Sequence, residues 1–308
     1  MSGLEIRPFE DGDVEAAAAL LRRRHARHRR ALPLLADVDD LAARIDDERR
    51  AAEVTALVAE RNGDVVAYLI AATHPRLRTL HVGSAGHAAA DAEVVRDLYA
   101  AVADSRVAAG QTRHTVNVPA TDEGLLAAWF RLCFGQQQAY AVRAVAPHPA
   151  VEAPATIRLG GESDLELVVA LDRLLPEHQA LAPTFAGVTP PSTAEAREDW
   201  EQTLAELSVA LFVAEERSEP VGCLLLTNVE RDFVEPRHNV DLSFAVTVPR
   251  VRGSGVGRAL AAHAFTWAHQ RGYRTITADW RVPNLLSSRF WERRGFRPAF
   301  LRLYRSIP

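Results

Sequence analysis

From Asp241 to Val248 large apolar residues alternate with small or polar ones, the pattern of a strand with two unlike faces. Leu242, Phe244, Val246 and Val248 fall on one face, and Asp241, Ser243, Ala245 and Thr247 on the other. Pro249 closes the strand and a glycine-rich turn follows. The spacing then changes to that of a helix, with Val256, Ala259, Leu260, Ala264 and Trp267 on its apolar side. Gly272 stands where such a helix ends.

The patterning also repeats along the chain. Leu4 to Pro8 reads as a short strand, followed by Asp11-Gly12-Asp13 and an alanine- and leucine-rich helix. Thr156 to Leu159 reads as another, followed by Glu162-Ser163-Asp164 and the helical run Leu165 to Leu175. In both, an acidic or hydroxyl residue occupies the expected N-cap. A hairpin comes next each time. Ala56 to Glu60 and Val65 to Ala71 flank Asn62-Gly63-Asp64, while Ala210 to Glu215 and Val221 to Leu226 flank Ser218-Glu219-Pro220. Farther on, Trp129 to Phe134 with a strand through Arg143 parallels Phe290 to Phe296 with a strand through Tyr304. These matches, in the same order, indicate a duplicated α/β unit. The expected domains are 1–147 and 155–308, joined by a proline-punctuated linker that includes Pro147, Pro149 and Pro154.

With 308 residues there is material for two packed cores. The formal charge of -4, from 36 Lys+Arg against 40 Asp+Glu, argues against a nucleic-acid partner. No apolar run approaches a membrane span, and Met1 to Asp13 has no apolar signal core. Cys133 and Cys223 are too far apart for a disulfide framework or metal-ligand spacing, which fits a reducing cytoplasm. Cys223 sits in an apolar strand and is expected in the core. The 11 histidines show no metal spacing. The densest charge run, Arg22 to Arg30, is expected as a solvated helix end.

Candidate chemistry centres on Arg252-Gly253-Ser254-Gly255-Val256-Gly257-Arg258, between the alternating strand and its helix. Glycines let backbone approach a phosphate closely, a helix N-terminus offers free N–H groups, and Arg252 and Arg258 add charge-assisted hydrogen bonds. The spacing G-x-G-x-G departs from the dinucleotide fingerprint, and the lysine-hydroxyl ending of a nucleoside-triphosphate loop is missing. A purely structural strand-to-helix turn stays open on these residues alone.

Val246 to Leu260 closely resembles the coenzyme A signature of the GNAT superfamily of N-acetyltransferases, whose Arg/Gln-x-x-Gly-x-Gly/Ala core is met by Arg252, Gly255 and Gly257. Asn284, the short helix with Ser287 and Ser288, and Phe290 to Phe296 resemble the downstream signature. The resemblance covers about residues 156–308, with the first half a degenerate copy. It implies an α/β (α+β) fold of two tandem GNAT-like domains, each a mixed, mostly antiparallel sheet flanked by helices. The second sheet would splay between its fourth and fifth strands. It implies a pantetheine arm along Val246, Thr247 and Val248, a pyrophosphate on Gly253, Ser254, Gly255, Val256, Gly257 and Arg258 beside Arg252, and further cofactor contacts from Asn284, Ser287 and Trp291. The implied reaction uses acetyl-CoA as co-substrate, without a metal, to acetylate an amine of a small molecule or peptide by direct transfer in a ternary complex.

Asp241 stands eleven residues before Arg252, where some members of the family carry a strand glutamate as base. By alternation it shares a face with Ser243, Ala245 and Thr247, and an exposed strand-end aspartate is the competing interpretation. Trp291 occupies the position of the family's usual acidic tyrosine. Tyr304 is a weak substitute, and protonation of the thiolate by solvent is favoured. A catalytically weak acyl-CoA sensor and an interaction scaffold are the rival functions. In the first half, Gly83-Ser84-Ala85-Gly86-His87 lacks the arginine and the glycine spacing, so a structural role without cofactor is expected there. His178 to Ser192 is expected as an irregular loop shaping the acceptor pocket, and the protein as a monomer or homodimer.

Overall fold

The computed structural model describes residues 3–74, 79–147, 149, 151–187, 190–206, 210–228 and 238–308. In chain order the first half contains β1 (Leu4–Pro8), α1 (Val14–Ala31), α2 (Leu41–Arg49), β2 (Val54–Arg61), β3 (Asp64–His74), β4 (Thr79–Val82), β5 (His87–Ala89), α3 (Val94–Ala108), β6 (Arg113–Pro119), α4 (Glu123–Arg131) and β7 (Gly135–Ala144). The second contains β8 (Thr156–Leu159), α5 (Leu165–Asp172), α6 (Leu174–Ala180), α7 (Thr193–Ala205), β9 (Ala210–Glu216), β10 (Glu219–Thr227), β11 (Asn239–Thr247), α8 (Val256–Gln270), β12 (Thr275–Arg281), α9 (Leu285–Glu292) and β13 (Arg297–Ser306).

The chain forms two compact units, whose limits differ from the expected 1–147 and 155–308. One takes the residues through Tyr140 together with Pro298–Pro308, and the other lies between Ala141 and Arg297. Nearly all of β13 therefore belongs with the first unit, and the end of β7 with the second. In the first unit β1–β2, β2–β3, β3–β4 and β3–β5 pair antiparallel, β4–β6 parallel, and β6–β13 antiparallel. In the second, β8 through β11 pair antiparallel in sequence and β11–β12 parallel. Each sheet is mixed and mostly antiparallel.

The duplication is written in ion pairs as well as in element order. Arg7 on β1 grips Asp13 with both terminal nitrogens at 2.7 and 2.8 Å, and its Nε donates to Glu60 on β2 at 3.1 Å. Arg158 on β8 grips Asp164 at 2.9 and 2.6 Å, and its Nε donates to Glu215 on β9 at 2.8 Å. Each aspartate also accepts the backbone N–H three residues before it, from Glu10 and from Gly161. These carboxylates, read in the sequence as N-caps, thus tie strand, turn and neighbouring strand together. The arginine hydrogen bonds hold both below the usual carboxylate range.

Turn chemistry explains the hairpins. Asn62 and Gly63 are both left-handed (φ 56° and 85°) and close β2 onto β3 with Arg61 opposite Asp64. The second turn lies one position earlier than the expected Ser218-Glu219-Pro220. Arg217 and Ser218 take positive φ, and Glu219 already pairs with Glu216. The segment expected as a loop from His178 is helical through Ala180 and becomes irregular only afterwards.

One face of β9–β11 builds the second unit's core. Leu211, Val213, Cys223, Leu225, Phe244 and Val246 pack with Val168 of α5 and Trp200 of α7. Trp200 meets Phe244 edge-on at 5.4 Å. Burial pushes the Cys223 thiol up to about 12, as fits a core cysteine.

The first unit depends on a strand from the far end of the chain. β13 pairs with β6 from Phe300↔Pro119 to Ser306↔Arg113, and buries Phe300, Leu301 and Leu303. Those side chains contribute roughly 1.5–3 kcal/mol each. Truncation after Arg297 should therefore strip hydrogen-exchange protection from residues 113–119 while β9 and β10 keep theirs. Undiminished protection at 113–119 would contradict this dependence.

Candidate active site

After β11, Pro249–Val251 forms a single 3-10 turn, and Gly253 and Gly255 take φ of 84° and 105° before α8 begins at Val256. Such angles strain any residue with a Cβ, which explains the glycines. No side chain caps α8 and no acidic residue lies in its first turn. Its positive end is therefore unopposed from within the helix. Ser254 turns inward, its hydroxyl donating to the Val251 carbonyl at 2.8 Å. Gly257 allows close packing, because a Cβ there would lie 3.3 Å from the Phe290 ring of α9.

That contact brings in a residue the sequence did not single out. Arg294 stacks on the Phe290 ring, 3.2 Å from its centroid, and donates to the Phe290 carbonyl at 2.6 Å. Burial first, then the charges of Arg258 and Arg293, bring its pKa down to about 10. Arg258 itself folds back over the turn, 3.2 Å from where a Gly255 Cβ would stand. Among the described residues, Arg252, Arg258, Arg293 and Arg294 make no ion pair with a carboxylate. The helix start thus carries concentrated, unneutralised positive charge. The doublet Arg293-Arg294 beside the glycine-phenylalanine end of the signature was the only available hint.

Beside this turn the sheet opens. β11 and β12 pair in parallel only from Asn239↔Thr275 to Leu242↔Ala278, although β11 continues to Thr247 and β12 to Arg281. These are the fourth and fifth strands of the unit, as expected. Val248 N–H is donated to Val221 of β10 at 2.9 Å. Alternation in an antiparallel pair then turns Val246 and Val248 to β10, and the backbone groups of Ala245 and Thr247 to the opening. Thr247 keeps its expected place, Ala245 joins it, and Val246 and Val248 flank them.

A bulge at Ser243 overturns the expected facing of Asp241. Leu225 pairs with Phe244 and Leu226 with Leu242, leaving Ser243 as the extra residue. Asp241 pairs with Thr227, on the same face as Leu225 and Phe244, rather than sharing a face with Ala245 and Thr247. It is fully buried, so it is not an exposed strand end. Its Oδ1 accepts from the Thr277 hydroxyl at 2.7 Å and its Oδ2 from the Ser243 hydroxyl at 2.9 Å. Behind Thr277, the Asn239 amide donates to the Thr277 hydroxyl oxygen and Thr275 donates to Asn239, both at 2.9 Å. Thr227 hydrogen-bonds to Ser243.

The other sequence-selected residues lie as follows. Asn284 caps α9, its Oδ1 accepting from Leu286 at 3.1 Å and Ser287 at 3.4 Å, and the Ser287 hydroxyl returns to the Asn284 carbonyl at 3.4 Å. Trp291 is buried between Phe290 and Phe296, edge-on at 4.7 and 5.5 Å. Tyr304 lies on β13, paired with Thr115 in the first unit. Among the described residues no cluster of His, Cys, Asp or Glu could hold a metal, and no helix is long and apolar enough to cross a membrane.

A mixed sheet parting between its fourth and fifth strands, with a glycine turn leading into an uncapped helix, defines the GNAT class of acyltransferase folds. Residues 175–296 match the family model of the Acetyltransferase (GNAT) family; the second half is a GNAT domain, and the chain as a whole has the tandem GNAT fold. Among solved structures, a GCN5-related N-acetyltransferase from Sphaerobacter thermophilus is similar with TM-score 0.62 and 17% identity, over 98% of this chain and 95% of that one. A tandem GNAT protein from the clavulanic acid biosynthesis pathway is similar with TM-score 0.51 and 15% identity, over 99% of each chain. The glucosamine N-acetyltransferase region of a fungal multi-domain GH3 beta-N-acetylglucosaminidase gives TM-score 0.57 and 13% identity, over 99% of this chain and 38% of that one. At these identities the likeness is one of fold. No curated protein matches the sequence significantly.

In the first unit the corresponding parallel pair is short because β4 ends at Val82, and the chain's own side chains lie beside the rest of β6. β4 and β6 pair only from Thr79↔Arg113 to Val82↔Val116, while β6 runs on to Pro119. His87 Nε2 donates to the Asn117 carbonyl at 3.0 Å, and the Asn117 amide donates to Ser84 Oγ at 3.4 Å. Tyr68 donates to the Ala85 carbonyl at 2.7 Å, and a Cβ on Gly83 would overlap the Glu48 carboxylate. Arg24 donates to the carbonyls of Ser84 and His87 from α1. The charge run expected as a solvated helix end is thus split by helical periodicity. Arg24, His25 and His28 are buried while Arg22, Arg23, Arg27 and Arg30 are exposed.

Burial, followed by the charge of Arg24, pushes both His28 and His87 down to about 3 from the ordinary 6.5. The unfolded chain takes up protons at both between these values and the folded chain does not. Stability should therefore fall as pH drops below 6.5 and on toward 3, by about 1.4 kcal/mol per pH unit per histidine over much of that range. Urea unfolding of the whole chain at pH 7 and pH 5, with protection of residues 113–119 as the local readout, checks it. Equal stability there at both pH values would contradict it.

Proposed function

We propose that the second unit binds acetyl-CoA and transfers its acetyl group to a primary amine of a small molecule or peptide, directly within a ternary complex. The carrying observation is the uncapped start of α8, with left-handed Gly253 and Gly255 before it and unneutralised Arg252, Arg258, Arg293 and Arg294 around it. A pyrophosphate satisfies free helix amides and arginines together. The backbone from Gly253 through Ser254, Gly255, Val256 and Gly257 to Arg258 would hold it, with Arg252, Arg258 and Arg294. Ala245 and Thr247, between Val246 and Val248, would bond the pantetheine amides, with Asn284, Ser287 and Trp291 on the α9 side.

When bound, acetyl-CoA supplies an activated thioester carbonyl, and the chain's task is to orient it and manage protons. Asp241 is the base. Two hydroxyls donate to it and orient its carboxylate, whose oxygens can accept a proton. Trp291 cannot act as acid, because the indole N–H is not acidic in water and its ring is packed in the core. Tyr304 on β13 is the weak alternative acid, and solvent protonation of the thiolate is the favoured route. The missing acid also supports a second function, an acyl-CoA sensor that turns over slowly or not at all.

Calorimetric titration with acetyl-CoA should give saturable binding, weakened about tenfold by Arg294→Ala through loss of a charge-assisted contact. Absence of any binding would end both the enzyme and the sensor assignments. Thiol release with ethanolamine, glucosamine, tyramine and lysine as acceptors separates these two. For the enzyme, Asp241→Asn should lower kcat about 10²–10⁴-fold without loss of acetyl-CoA affinity, and unchanged turnover would remove Asp241 from the reaction.

A further inference from the structure

Asp241 has no exposed surface, whereas Ser243, bound to its Oδ2 at 2.9 Å, is exposed. The bulge produces this pairing. Residues two apart on a regular strand point to the same face without their side chains meeting across an extra residue, but here the inserted position swings the serine outward while its hydroxyl still reaches back. The directions of the hydrogen bonds are fixed by chemistry. An ionised carboxylate can only accept, so Ser243 and Thr277 both donate to Asp241. Ser243 has one proton and has spent it, so Thr227 must donate to Ser243. One lone pair on the exposed serine oxygen is then left over. Thr277 in turn receives from Asn239, and Asn239 from Thr275, so the opposite oxygen is anchored by a buried chain of donors.

We infer that Ser243 is the residue that receives the acceptor's proton, acting as a relay to the buried Asp241. The acceptor N–H proton passes to Ser243 Oγ as the Ser243 proton passes to Asp241 Oδ2. The serine ends neutral, the carboxylate ends as a carboxylic acid, and the nitrogen keeps its electron pair. The two donors flanking the pair, Thr227 and Thr277, are positioning residues. This relay rests on Asp241 being the base, and it assigns to the serine the direct contact with substrate.

The full chain, labelled at aspartate Cγ with carbon-13, tests the coupling without any ligand. The Asp241 resonance, identified by its loss in Asp241→Asn, should move in Ser243→Ala and return toward its place in Ser243→Thr. An unmoved resonance in Ser243→Ala overturns the relay. With acetyl-CoA and whichever of ethanolamine, glucosamine, tyramine or lysine is turned over fastest, Ser243→Ala should lower kcat about 10²-fold, leave acetyl-CoA affinity unchanged, and be rescued by Ser243→Thr. The double variant with Asp241→Asn should be no slower than the slower single variant. Full kcat in Ser243→Ala alongside a crippled Asp241→Asn would overturn the relay and leave the base standing. Full kcat in Asp241→Asn would overturn both.

Discussion

The second unit is organised by one break in hydrogen bonding. β11 and β12 stay paired through Leu242↔Ala278 and then separate, although both strands continue. Backbone groups that lose a strand partner must be satisfied elsewhere, and on β11 these belong to Ala245 and Thr247. The extra residue at Ser243 marks the same place on the other edge of β11, where its register with β10 changes. A bulge increases local twist, which helps the strand leave its parallel neighbour. The same distortion carries Asp241 inward and Ser243 outward. Opened sheet, buried carboxylate and exposed hydroxyl therefore follow from one local irregularity.

The first unit treats the corresponding region of its sheet differently. β4 ends at Val82↔Val116, and beyond it His87, Asn117 and Ser84 hydrogen-bond beside β6 with Arg24 on two carbonyls. Burying a guanidinium and two neutral histidines is costly unless they are well bonded, so the plug is an expensive means of closure. In the second unit the helix start beyond the opening is bare of side-chain caps. Two copies of one fold thus meet the same deficit differently, one with its own side chains and one with room for a ligand's amides and phosphates.

Most of the fold was legible because it rests on local signals. Asn62-Gly63, the alternating run from Asp241 and the helix ending at Gly272 each declare themselves within a few residues. The glycine turn was legible for the same reason. What escaped was set by partners distant in sequence. Nothing near Phe300 or Tyr304 says that their strand pairs with residues 113–119. The facing of Asp241 followed alternation on paper, and one inserted residue reversed it. Arg294 became visible only when Phe290 was seen against Gly257. Arg24 and His28 were hidden inside a run whose average is strongly charged, because only helical phase separates the buried positions from the exposed ones.

All 36 Lys+Arg positions in this chain are arginine, and their uses show how the fold directs charge. Arg7 and Arg158 each sit between two carboxylates, so their charge is consumed locally in holding a strand to its turn. Arg24 donates to two carbonyls through its terminal nitrogens and contributes a cation to a closed interior. Arg258 and Arg293 have neither kind of compensation and Arg294 has only the Phe290 carbonyl, and burial together with repulsion from its neighbours already lowers the affinity of Arg294 for its proton. Repulsion of this sort costs folding stability, and it persists only where a structure gains something by keeping like charges together. At the start of an uncapped helix, that gain is attraction for a polyanion. The same side chain is structural where acids were supplied and, in the proposed site, a binding group where they were withheld.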